Sequence, residues 1–220
     1  WSGVYEENMD IRRTISTELN VFESFLPVLP QTYKKAPYLF LGNIHPLLQL
    51  QVLELANDPI FTLIDTMDLW INAAREDLEK VISKCNMLTL NESEAKLFTQ
   101  EESLVKASKK LVELGPDFVL IKKGAKGSML YSNDDCFSLN AYPLEKCCDP
   151  TGAGDSFAGG LMGILSTKEE INFQTIKEAM VYGSIIASFG IEAFSLDRLI
   201  TLTENEIKER VDKFYNMFLS

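Results

Sequence analysis

The chain has 220 residues, of which 46% are hydrophobic and 24% charged, and a net charge of −11. That mix suits one well-buried globular domain. It excludes two function classes: no Lys/Arg stripe interleaved with aromatics serves nucleic acid, and no apolar run approaches the roughly 20 residues that span a bilayer. No signal-peptide pattern opens the sequence, so a cytoplasmic protein without nucleic-acid or membrane partners is expected. Cys85, Cys136, Cys147 and Cys148 form no Cys-x-x-Cys pair and read as reduced thiols.

In chain order, residues 1–30 stand apart from the rest of the chain, and 11–17 read as an exposed strand of a small separate sheet. From residue 31 to 220 strands alternate with helices. Strands are expected at 38–41, 60–64, 87–90 and 118–121, and helices at 47–56, 74–83, 93–98 and 104–114. This rhythm is that of a parallel sheet with helical crossovers. Two closely spaced strands at 128–131 and 136–139 read as antiparallel, and helices come after them at 156–165, 175–189 and 204–218. His45, before Pro46 at a helix start, reads as a loop-structural or substrate-edge residue, and Asp65, at a strand end, as either a crevice-facing carboxylate or a helix cap.

Three motifs carry chemistry, each after a strand. Residues 149–160 read Asp-Pro-Thr-Gly-Ala-Gly-Asp-Ser-Phe-Ala-Gly-Gly. Gly152, Ala153 and Gly154 can bring bare backbone N–H groups to an anion, and the helix after them adds its positive end. Asp155 beside such a pocket suits a proton acceptor for a hydroxyl attacking phosphorus, or else a helix N-cap. Asn91-Glu92-Ser93-Glu94 is the second motif, and it is also a good capping box. The third is Lys123-Gly124-Ala125-Lys126-Gly127, whose Gly-x-x-Gly also fits a plain hairpin turn. Neither a Walker A loop nor a Rossmann glycine fingerprint occurs. In an open α/β sheet all three motifs would meet at the carboxyl ends of the strands.

The Gly-Ala-Gly-Asp run closely resembles the C-terminal signature of the ribokinase-like, or PfkB, family of carbohydrate and nucleoside kinases; Asn91 to Glu94 resembles its Asn-x-x-Glu element, and Gly124 to Gly127 its turn beside the nucleotide. The resemblance covers roughly the C-terminal two-thirds of a family member. It implies an α/β fold with a mostly parallel sheet, helices on both faces and the remnant of a β lid over the acceptor. It further implies an ATP-dependent kinase acting on a sugar or nucleoside hydroxyl, with Asp155 as base and the Gly152–Gly154 turn as anion hole. Asn91, Glu94, Lys122, Gly124 and Gly127 would lie by the nucleotide, with Glu94 ordering Mg2+ through water. Lys122 departs from the hydroxyl residue many relatives carry there, and a lysine can reach phosphate oxygens instead.

Asp149 and Thr151 occupy positions that the resemblance assigns to potassium in cation-activated relatives, a structural turn fitting them equally, and Ser195 is a candidate for a further oxygen. A homodimer through the lid is a further expectation. Two other readings are a nucleotide-binding relative without catalysis and a vitamin or pyrimidine kinase of the same superfold. The sequence lacks the family's N-terminal strands and paired glycines, so a longer natural protein is expected, and the sheet of this part alone is expected to lack strands from its middle.

Overall fold

A computed structural model of the chain describes residues 2–6, 9 and 12–218. Strands β1 (Ser2–Tyr5) and β2 (Arg12–Ser16) pair antiparallel as a separate ribbon. Residue 1 of the 1–30 reading and residue 11 of the expected 11–17 strand lie outside the described residues.

The main sheet holds β3 (Tyr38–Leu41), β4 (Phe61–Asp65), β5 (Met87–Asn91), β6 (Phe118–Lys122), β7 (Ser128–Tyr131) and β8 (Cys136–Leu139), side by side in chain order. As expected, β3 to β6 are parallel and the last two strands antiparallel. The missing middle is not found: consecutive strands are hydrogen-bonded throughout, and β3 is an edge of the six.

Because the parallel strands advance in one direction, right-handed crossovers must put their helices on one face. These are α1 (Pro46–Leu55), α2 (Asp68–Ala73), α3 (Arg75–Ile82), α4 (Glu92–Thr99) and α5 (Leu104–Val112). Ile64, Leu88, Leu90, Val119 and Ile121 meet Leu78, Phe98 and Leu111 in that core. The opposite side chains, Phe61, Leu63, Met87, Leu120, Leu130 and Leu139, pack against α6 (Ala153–Leu165), α7 (Phe173–Gly190) and α8 (Glu204–Phe218). Two-residue alternation thus feeds one core on each side of the sheet.

Most expected elements differ only at their ends. The six-residue α2 is not expected from the sequence, being too short to show a period. More consequential is α6, which begins at Ala153 rather than at residue 156, so that the glycine turn and Asp155 already belong to it. His45 caps α1, its Nδ1 accepting from the Leu47 N–H at 3.2 Å, and its ring stands edge-on to Trp70, which accords with a structural role.

Candidate active site

Side-chain parity places the site. Asp65 shares a face with Leu63 and Lys122 with Leu120, so both point towards the α6 layer from the carboxyl ends of β4 and β6. There the Lys122 Nζ donates to Asp65 Oδ1 at 3.1 Å and Oδ2 at 3.0 Å. Asp65 is 5% exposed, and its Oδ1 also accepts from the Thr66 N–H at 3.1 Å. The cap of α2 is Met67, so Asp65 does not cap that helix.

The glycine turn closes on this pair. Gly152 has φ +80°, and α6 has no side-chain cap, so N–H groups of its first turn are left for solvent or a ligand. A Cβ on Gly154 would lie 3.0 Å from the Lys122 Nζ, which brings the ammonium against the turn. The cap position belongs to Gly152, so Asp155 is not the N-cap. The Ala153 N–H is donated to the Pro150 carbonyl at 3.2 Å, which turns this member of the expected anion hole into the loop.

Asp155 lines a cavity of about 600 Å3 with Ser2, Gly3, Asp149, Thr151 and Ser195 among its neighbours. Desolvation by the surrounding protein raises its carboxyl above the ordinary range, the Asp65 charge raises it further, and the Lys122 ammonium opposes both. A carboxyl so placed can take up a proton nearer neutral pH than a free aspartate.

The Asn91–Glu94 motif forms a complete capping box. Glu94 accepts the Asn91 N–H and Asn91 Oδ1 accepts the Glu94 N–H, both at 2.8 Å, with Glu94 buried. Asn91 is the β5 partner of Lys122. In the Gly-x-x-Gly turn Gly124 (φ +57°) and Gly127 (φ +87°) make the tight β6–β7 connection, closed by Lys123 N–H donating to the Gly127 carbonyl at 2.7 Å.

Asp149, Thr151 and Ser195 line the same cavity. Asp149 accepts the Thr151 N–H at 2.9 Å and a backbone N–H of Ser195; Thr151 foremost, then Ser195, holds its carboxyl below the ordinary range. Ser195 has φ +55°, unusual for a residue with a side chain. The Tyr5 hydroxyl meets Thr151 Oγ1 at 3.2 Å, tying the ribbon to the turn.

The model of the pfkB family carbohydrate kinases matches residues 48–199. The chain belongs to the pfkB family. Every site residue named above except those of the ribbon falls within the matched segment of this pfkB chain. It is 32% identical over 136 residues to the bifunctional ribokinase/ribose-5-phosphate isomerase A of Fructilactobacillus sanfranciscensis, covering 60% of the pfkB chain and 24% of the relative.

Among solved structures it is similar to the nucleoside kinase of Methanocaldococcus jannaschii (TM-score 0.69, 20% identity, 88% of this chain and 60% of that one). It is also similar to a fructokinase double mutant of Vibrio cholerae solved with fructose, ADP and a potassium ion (TM-score 0.66, 18% identity, 84% and 62%). These likenesses establish the ribokinase-like α/β fold, and in each case the chain spans less than two thirds of the other protein's length. No helix among the described residues is long and apolar enough to cross a membrane, and none of the four cysteines is in a disulfide.

The sequence brings Lys122 and Asp65 to the crevice separately but not to each other, because only the sheet register joins residues 57 positions apart. Nor does it single out Thr66 and Thr89, whose buried hydroxyls have no hydrogen-bond partner among the described residues.

Proposed function

We propose that the protein is an ATP-dependent kinase that transfers the γ-phosphoryl group to a hydroxyl of a sugar or nucleoside, with Asp155 as the base. The observation that carries this reading is Asp155 itself: it stands in the uncapped first turn of α6, at the rim of a cavity, with its carboxyl raised by burial and by Asp65.

In this reading Asp155 takes the acceptor hydroxyl's proton as the oxygen attacks phosphorus, and the N–H groups at Gly152 and Gly154 steady the charge on the transferring group. Lys122 donates to a phosphoryl oxygen from its place against Gly154. Gly124 and Gly127 hold the turn at the nucleotide's edge. The ribbon roofs the acceptor, tied to the glycine turn through Tyr5 and Thr151.

Magnesium brought in on the nucleotide would neutralise phosphate charge. Such an ion would be held mainly by phosphates and waters, with Glu94 ordering one of the waters. The ionised Asp149, with oxygens of Thr151 and Ser195 lining the same cavity, offers a hard-oxygen set that suits potassium.

The test is ADP release by the natural-length protein across a panel of sugars and nucleosides, with and without magnesium and with potassium or sodium. Magnesium-dependent release that requires one acceptor class is expected. ATP binding without release for any sugar or nucleoside would contradict the proposal and favour a binding-only relative.

A further inference from the structure

Lys122 occupies an electrostatically awkward place. Its ammonium lies against the first turn of α6, the positive end of a helix, with 18% of its side chain exposed. A cation is stable there only beside an anion, and Asp65 supplies one with both carboxylate oxygens at 3.0–3.1 Å. An ammonium carries three N–H groups, so two can remain on Asp65 while the third stays available on the side of the turn. Next to this pair Thr89, the register partner of Asp65, is 2% exposed and its hydroxyl has no hydrogen-bond partner among the described residues.

We infer that Asp65 is a positioning residue: it fixes Lys122 against Gly154 so that the ammonium meets the phosphoryl group in transfer, and it acts on catalysis only through that lysine. The inference rests on the kinase reading. It also gives the departure at Lys122 a partner in the same chain, 57 residues upstream.

The experiment compares Asp65→Asn, Asp65→Glu, Lys122→Gln and the double variant Asp65→Asn/Lys122→Gln, in the natural-length protein, by kcat, by KM and by ATP affinity from calorimetry. Lys122→Gln should weaken ATP binding about tenfold or more and lower kcat about a hundredfold. Asp65→Asn should lower kcat about ten- to a hundredfold without weakening ATP binding, because it removes a negative charge beside the phosphates while loosening the lysine. The double variant should be no slower than Lys122→Gln alone.

Asp65→Glu keeps the charge balance but moves the ammonium, so it should melt near the parent temperature and still lose kcat. A merely structural pair would accept the glutamate. The charged groups bearing on Asp155 are Asp65 on β4 and Lys122 on β6, so the acid limb of kcat/KM should shift down in Asp65→Asn and up in Lys122→Gln. Losses that multiply in the double variant, or an Asp65→Glu enzyme with parental kcat, would overturn the inference. A parent that binds ATP but turns over no acceptor defeats the kinase reading instead; the calorimetric arm then still decides whether Lys122 contacts phosphate, and unchanged affinity in Lys122→Gln would overturn that too.

Discussion

At the scale of single residues, three glycines do different things. Gly127 has φ +87°, and a Cβ there would overlap the Leu139 carbonyl and stand 2.8 Å from the Ala141 nitrogen. Gly152 has φ +80°, but a Cβ there would meet open space. Gly127→Ala should therefore unfold the β6–β7 turn and cost about 3 kcal/mol or more, whereas Gly152→Ala should cost only the left-handed penalty of about 1–2 kcal/mol. Urea melts of the two variants check this; equal costs would show that the backbone at Gly127 relaxes freely. The third, Gly154, gives up its side chain to make room for the Lys122 ammonium. The glycine motifs were legible in the sequence. Which glycine serves shape and which serves access was not, since that depends on what faces each one after folding.

At the scale of elements, the strand and helix rhythm was legible because parallel strands buried on both faces are continuous apolar runs, such as Leu63-Ile64 and Val119-Leu120-Ile121. The start of α6 was not, because Gly-Ala-Gly reads as a turn; packing decides it. A Cβ at Gly183 of α7 would lie 2.8 Å from the Phe157 carbonyl, and one at Gly160 would press on the Tyr182 carbonyl at 3.0 Å, so α6 and α7 cross with their backbones nearly touching. That crossing holds the Asp155 turn in place.

Helix α8 is tied down by charge, and nothing in the sequence pairs its partners. Arg210 donates to Glu192 at 2.6 Å and lies over the Phe189 ring, while Arg198 joins Glu192 to Glu206. The Thr203 hydroxyl and N–H, then Arg198, hold the Glu206 carboxyl down at about 2. A depressed folded value means that this contribution is present above the ordinary glutamate range and lost as pH falls towards 2. Glu206→Gln should therefore melt slightly below the parent at pH 7 and converge with it between about pH 4.3 and 2. A gap that persists at pH 2 would show that the charge is not what Glu206 contributes. The site is exposed, so added salt should shrink the effect.

At the scale of the whole molecule, the sheet divides labour between its faces. The α1–α5 side is a packed core, while the carboxyl ends of β4 to β6 turn Asp65, Asn91 and Lys122 towards the α6 layer, where the glycine loop arrives. In the proposed reading the net charge of −11 offers ATP no long-range attraction, so its phosphates would depend on local donors: the turn, Lys122 and a cation. Ser2 and Gly3 of the ribbon line the same cavity as Phe194 and Leu196, where the sequence pattern was least informative, and in the proposed kinase reading acceptor choice falls to them.

The most direct test of the central claim is the Asp155→Asn variant of the natural-length protein, assayed with its best acceptor across pH. The account predicts turnover lower by about two to four orders of magnitude, ATP affinity and melting temperature retained, and a parental acid limb whose midpoint lies above that of a free aspartate. Parental turnover in the variant would contradict the assignment of Asp155 as the base.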